Sequence, residues 1–279
     1  MSTLTPAIGW TESRPSRFTR FWRTPKGTLL LVFVPVLAIA IAGQGARTVL
    51  PGLVGALLAA CLIELLATRF VSGQWPVPTS ALITGLIVAM VLSPHQSPVV
   101  AIVASAIAVG SKYVLRTRRE HIFNPAAFAL VAVILIFGAD ESWWGALADL
   151  AWPLSLILLA AGVLVARKTN KFPQVLAFLA SYFLLFTLIS LGNPTAVAEM
   201  FRNPYAESAL FLAFFMLTDP PTSPSRYADQ LWFGVLTAVV CVATQLLGLG
   251  EAYLLLGVLV ANAALAVRRD LGRLAYRPD

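Results

Sequence analysis

Charge is scarce in this sequence. Asp, Glu, Lys and Arg together make 12% of 279 residues, whereas apolar side chains make 58%. A soluble domain carries about twice that share of charge, so a water-soluble globular class is excluded. Cysteine is equally sparse. Cys61 and Cys241 are the only two, 180 residues apart, each inside an apolar run and with no Cys-x-x-Cys pair. That spacing argues against a zinc ribbon or an iron–sulfur cluster held by this chain alone. A cluster shared with a partner subunit stays open. The two histidines, His95 and His121, lie in polar connections instead of on facing helices, which argues against bis-histidine haem ligation. No Walker motif, GxGxxG, HExxH or GxSxG occurs. An ATPase or a self-contained dehydrogenase is thereby excluded.

What the sequence has is apolar length. Ten apolar runs cover 28–42, 49–67, 80–92, 98–110, 126–137, 152–166, 173–191, 208–217, 231–249 and 252–266. They predict an all-α polytopic membrane protein of about ten transmembrane helices. The third and eighth runs are short against a hydrocarbon core of about 30 Å. Ala38-Ile-Ala40 in the first run resembles a signal-peptidase site. A retained helix is preferred, because the charge topology closes with it included.

The net charge of +7 is not a nucleic-acid signature, because the cations sit in short connections between apolar runs. With the N-terminus in the cytoplasm, the N-terminal tail (Arg14, Arg17, Arg20, Arg23, Lys26), the loops at 68–79, 111–123, 167–172 and 218–230 and the C-terminal tail hold most Lys and Arg. The opposite loops collect Asp140, Glu141, Asp149, Glu199, Glu207 and Glu251. This is the positive-inside pattern of a bacterial-type inner membrane protein with both termini cytoplasmic.

Two stretches repeat. Met90-Val-Leu-Ser-Pro-His-Gln-Ser-Pro98 and Met216-Leu-Thr-Asp-Pro-Pro-Thr-Ser-Pro224 share Met, Pro, Ser and Pro at matching positions, 126 residues apart. In each, an apolar helix meets a proline that removes a backbone donor and clashes with the preceding turn. Polar groups freed at such a break in lipid must find protein, water or a ligand. Ten runs divide into two inverted five-helix repeats with broken helices 3 and 8. The expected organisation is a basic tail 1–27, repeats 28–138 and 139–266, and a basic tail 267–279. Asn124-Pro-Ala-Ala-Phe-Ala and Asn262-Ala-Ala-Leu-Ala give a weaker echo. The site is expected where the two breaks approach each other.

Asp219 is the titratable residue expected deepest in the membrane interior, as a cation ligand, an ion-pair partner or an acceptor for a ligand amide. Lys112, Arg116, Arg118 and Arg119 could receive a phosphate. Hydroxyls at paired breaks suit a small polar solute or a cation as well as they suit a cofactor.

Lys112 through His121-Ile-Phe-Asn-Pro-Ala126, with Phe214-Phe-Met-Leu-Thr-Asp-Pro-Pro-Thr-Ser-Pro224 and Leu82-Ile-Thr-Gly-Leu to Pro94, resembles the RnfD/NqrB family. These are the flavin-carrying membrane subunits of the Rnf complex and of the sodium-pumping NADH:quinone reductase. The resemblance implies a urea-channel-like fold, bound flavin (FMN or riboflavin) and electron passage through the membrane, with possible ion coupling. The chain would then be at most a subunit of a membrane oxidoreductase complex. Its partners would be other redox subunits, or a flavoprotein or iron–sulfur electron donor. The family attaches FMN to a Thr in a Ser-Gly-Ala-Thr motif that is absent here. Thr195 in Gly192-Asn-Pro-Thr195 is the nearest substitute, so non-covalent flavin is the expectation. Ser93 and Ser97 from one half, with Asp219, Thr222 and Ser223 from the other, are expected to contact the ring. Lys112, His121 and Asn124 are expected near the cytoplasmic edge. The rival expectation is a channel or transporter for a small polar solute or cation on the same fold, without redox activity.

Overall fold

Each of the ten apolar runs falls on helix in the computed structural model, which describes residues 17–117, 120–148, 150, 152–250 and 252–275. Arg14, Arg118, Arg119, Asp149, Glu251 and Arg277 lie outside the described residues. The elements are a short α1 (Arg17–Trp22), then α2 (Pro25–Gln44), α3 (Ala46–Ser72), α4 (Thr79–Val91), α5 (Pro98–Val114) and α6 (Pro125–Phe137). After a connection with single 3-10 turns come α7 (Ser155–Thr169), α8 (Phe172–Gly192), α9 (Asn203–Phe211), α10 (Tyr227–Leu246) and α11 (Tyr253–Ala275). Of these, α2, α3, α8 and α10 are long and apolar enough to cross a membrane by themselves. Outward side chains such as Leu58, Leu135, Leu184 and Val239 are exposed. An apolar surface of that extent requires lipid around it.

Packing repeats with the sequence. α3 lies on α5 as α8 lies on α10, and α5 lies on α6 as α10 lies on α11. Across the halves, α2 packs on α7 and α6 on α11, so equivalent helices meet each other. Small residues allow close approach. A Cβ on Gly234 of α10 would stand 2.5 Å from the Gln174 carbonyl oxygen of α8, and one on Gly162 of α7 would stand 2.3 Å from Phe214 Cγ. Contacts of this kind replace hydrophobic driving force when the solvent is lipid.

The two short spans run in opposite directions. The first turn of α4 carries Ser80, which lines a cavity together with Asp219 from beyond α9. The far end of α4 meets the Asp140–Trp143 connection: Ser93 N–H donates to Asp140 O at 2.9 Å and Trp144 Nε1 to Ala89 O at 2.6 Å. The first turn of α9, in turn, shares a second cavity with Glu141 and Ser142. The molecule thus has a basic end, bearing Lys112, Lys171 and Arg269, and an acidic end, bearing Asp140, Glu141 and Glu199.

The two repeated stretches fold differently. α4 stops at Val91, and Ser97 caps α5 by accepting from Val99 N–H, with Pro98 in the first turn of that helix. α9 instead passes into a π-helical turn, Leu212–Met216, closed by Leu217 N–H to Leu212 O at 2.8 Å. Irregular backbone then follows as far as Tyr227. The Asn echo is not a repeat equivalence. Asn124 caps α6, whereas Asn262 sits well inside α11 and accepts from Asn124 N–H at 2.8 Å.

Candidate functional cavity at the basic end

Leu217, Thr218, Thr222, Ser223 and Pro224 of the irregular segment after the π turn are buried, and the segment's carbonyls need donors. Side chains from four other elements supply them. Asn124 Nδ2 donates to Met216 O at 3.0 Å, Gln174 Nε2 to Leu217 O, and Asn262 Nδ2 to Thr222 O at 2.9 Å. Arg269 donates to Pro221 O and Ser223 O, both at 3.2 Å, and Lys171 Nζ to Pro224 O. Gln230 Nε2 reaches Ser225 O at 3.2 Å. This clamp accounts for the buried Lys171, Gln174, Gln230 and Asn262. Burial lowers the Lys171 ammonium pKa to about 8, the neighbouring Arg269 adds to the effect, and Asp219 and Glu120 oppose it.

The clamp holds one wall of a cavity of about 330 Å³. Leu29 of α2, Ile83 and Ile87 of α4, Val165 of α7 and Phe215 of the π turn make its apolar sides. Lys112, His121, Asp219, Ser80 and the rim residue Lys26 supply its polar groups. Lys112 Nζ donates to Ser80 Oγ at 3.1 Å and stands 3.8 Å from Glu64 Oε2 of α3. His121 Nε2 lies 3.6 Å from Asp219 Oδ2 but has no hydrogen-bond partner. His121 reaches this position because the connection after α5 turns back on itself: Ile122 N–H donates to Leu115 O at 2.9 Å, and Arg116 bridges to His121.

The residues singled out in the sequence separate accordingly. Lys112, His121, Asn124 and Asp219 line this cavity. Asn124 is already engaged by Met216 O, Ala127 N–H and Asn262, so it shapes the wall and does not reach for a ligand. Thr222 and Ser223 are buried beside the cavity, and their hydroxyls are spent on Asp219 Oδ2 (3.1 Å) and Asp219 O (2.7 Å). Ser93 and Ser97 are a correction. They sit beyond the far end of α4, thirteen helical residues or ~20 Å from the cavity's Ser80. Inversion of the repeats puts the two breaks at opposite ends of the molecule, so they do not form one pocket. Thr195 is exposed, donates to Asn193 Oδ1 at 2.9 Å, and follows the acidic end of α8, remote from the cavity. Of the phosphate candidates, Lys112 points into the cavity while Arg116 is exposed outside it.

Three residues were not read from the sequence as buried or cavity-lining groups: Glu64, Glu207 and Ser80. Glu64 is a carboxylate within the second apolar run, and that placement was itself a signal; Asp219 is therefore not the sole interior acid. Glu207 of α9 is a second case, buried near Ser155, with burial at 5% exposure. Ser80 had no signal in the sequence, since only the packing of α4 against α5 brings it to Lys112.

A second cavity, of about 300 Å³, lies at the acidic end between Glu141–Trp143, the first turns of α9 and α11, and Tyr253. An aromatic cluster of tilted and edge-to-face rings stands between the two cavities. Phe215 lines the first; its ring centroid is 5.0 Å from that of Phe211, which is 6.0 Å from that of Trp143, a lining residue of the second. Phe33 of α2 joins the cluster at 5.2 Å from Phe215.

A family model described as the NQR2, RnfD, RnfE family matches residues 22–152 and again 150–268. The chain belongs to this family. The two successive matches meet in the connection between α6 and α7, in line with the packing repeat. No curated protein matches the chain.

Proposed function

We propose that this NQR2/RnfD/RnfE-family protein is a membrane electron-transfer subunit that binds flavin non-covalently in the cavity at its basic end. The observation that carries the reading is the cavity's composition: apolar walls that include Leu29, Ile83, Ile87, Val165 and Phe215, with Lys112, His121 and Asp219 among the polar lining. The pyrimidine edge of an isoalloxazine alternates carbonyl acceptors with an N–H donor. A lysine and a histidine to donate and a carboxylate to accept match that edge. The unpartnered His121 Nε2 is a group that such a ligand would satisfy. Bound there, flavin would supply one- and two-electron redox chemistry that no side chain of the chain offers. The chain's own residues bind it, orient it through Asp219 and exclude water with the apolar wall. Lys26 at the rim suits a phosphate on the ligand's tail.

The basic end faces the cytoplasm on this reading, as the positive-inside rule requires. The repeats 28–138 and 139–266 are the two inverted halves. Electrons come from another redox subunit, or from a flavoprotein or iron–sulfur donor at the cytoplasmic side. The channel alternative fits less well, because Phe33, Phe211, Phe215 and Trp143 fill the line between the two cavities.

The test is purification in mild detergent, absorbance in the near-ultraviolet and visible bands of a flavin, and titration with FMN and riboflavin. Retained or rebound flavin supports the reading. Wild-type protein that carries none and binds neither form refutes it. Asp219→Asn should weaken binding roughly 10- to 100-fold, as loss of a hydrogen bond to a charged group costs about 1.5–3 kcal/mol. Ser97→Ala should leave binding unchanged.

A further inference from the structure

The Lys112–Glu64 pair stands out among the polar groups of the cavity because it belongs to neither repeated break. Lys112 comes from the last turn of α5, Glu64 from the interior of α3 and Ser80 from the first turn of α4. Their side chains are 9% and 16% exposed for Lys112 and Glu64, so the pair is screened mostly by protein instead of water. At 3.8 Å the contact is an ion pair, and Glu64 Oε2 has no hydrogen-bond partner. The ammonium faces the cavity and the carboxylate stands behind it. On this geometry the field that a cavity ligand feels is that of Lys112 reduced by Glu64.

We propose that Glu64 is a positioning and tuning residue that sets, through Lys112, how strongly the cavity favours the reduced, anionic form of its bound flavin. The inference rests on the flavin reading given above. Two electrons and one proton added to an oxidised isoalloxazine leave one negative charge on the ring. Lys112 stabilises that charge, and Glu64 opposes it. A structural salt bridge would affect stability in the same direction whichever partner was removed. A tuning pair affects the ring in opposite directions.

The experiment is a spectroelectrochemical titration of detergent-purified, flavin-loaded protein, with dithionite supplying the electrons and buffer the proton. Lys112→Gln should lower the midpoint potential and Glu64→Gln should raise it. Each shift should correspond to at least a tenfold change in the reduction equilibrium, about 30 mV for a two-electron couple. The double variant should fall between the singles, and Glu64→Asp, which keeps the charge, should stay near wild type. Each variant is checked for an unchanged size-exclusion profile, and where Glu64→Gln fails to fold, a Lys112→Gln protein whose midpoint potential does not fall still overturns the role. Singles that shift in the same direction, or by less than about 30 mV, overturn the tuning role while leaving flavin binding intact. Wild-type protein without flavin overturns both, and the absorbance spectrum distinguishes that outcome from the first.

Discussion

Replacing Asn262 tests the clamp directly. Its side chain makes two buried bonds, accepting from Asn124 N–H at 2.8 Å and donating to Thr222 O at 2.9 Å. Asn262 is 2% exposed and Asn124 is 3% exposed, so water cannot replace either bond. Asn262→Leu keeps the branching at Cγ in a larger side chain and leaves both backbone groups unsatisfied. Each orphan costs about 1–3 kcal/mol by soluble-protein measurements. Side-chain hydrogen bonds measured inside a membrane protein average nearer ~0.6 kcal/mol, because the unfolded chain in lipid also finds partners. Leu recovers about 0.5 kcal/mol through better helix propensity. A net loss of about 1–5 kcal/mol follows, from the membrane value at the low end to the soluble-protein value at the high end, or a Tm lower by roughly 2–20 °C at 2–4 °C per kcal/mol.

The protein carries its own reporter for that measurement. Cys241 is fully buried and Cys61 partly so, and a thiol-reactive dye reads their exposure on heating in detergent. Gln96→Ala serves as the control, since it removes only the exposed 3.3 Å bond to Asp140 Oδ2 and should move Tm by about 1 °C. Flavin affinity should fall with Asn262→Leu, because Thr222 lies just beyond Asp219–Pro221 in the cavity wall, and should hold with Gln96→Ala. An Asn262→Leu protein that melts within about 2 °C of wild type, or a control that loses as much, would refute the clamp as the support of that wall.

Three further outcomes are expected. Gly162→Ala places a methyl 2.3 Å from Phe214 Cγ, and the same dye assay should show a loss of about 1–3 kcal/mol from overpacking. Lys171, lowered to about 8 from 10.5, is costly to keep charged in the folded state. Wild-type stability, read as a rise in Tm, should therefore gain by at most about 3 kcal/mol as pH rises from about 8 towards 10.5, and Lys171→Met should lack that gain. Phe211→Ala removes the central ring between the cavities, and proteoliposomes containing it should leak small polar solutes that wild-type vesicles retain, in a stopped-flow shrinkage assay.

The helices were legible because lipid demands long apolar runs, and the two ends were legible because cations and anions separate along the chain. The cavity was half legible. Lys112, His121 and Asp219 stood out as polar residues in the long Lys112–Ala126 and Phe214–Pro224 motifs, and they do meet. The error at Ser93 and Ser97 came from treating a repeated motif as a shared place. Inversion that gives two halves the same sequence pattern also sends the patterns to opposite ends of the bilayer. The Asn124 and Asn262 echo failed for a related reason: it reflects a contact between the two residues, not an equivalence. Glu64 was visible as a charge in an apolar run, but its partner was not, because nothing in sequence spacing brings α3, α4 and α5 to one point.

The same nine-residue pattern produces a short connection once and a buried, clamped segment once, and the difference bears on function. After Leu92 the chain enters α5 within five residues, with Gln96 N–H closing on Ser93 O at 3.1 Å, and its distant partners come from the connection at 140–144, with Ser142 N–H and Trp143 N–H donating to Val91 O. After Met216 the π turn adds a residue per turn, and the chain stays irregular for ten residues before α10. Such a segment persists in lipid only if other helices supply its hydrogen bonds. That is why most buried polar side chains near the basic end belong to the clamp. Of the polar residues in the two long motifs, Lys112, His121 and Asp219 give no side-chain donor to it, and all three line one cavity. Hydroxyls left over at the proline breaks, the feature that the sequence emphasises, are the groups with least to offer a ligand.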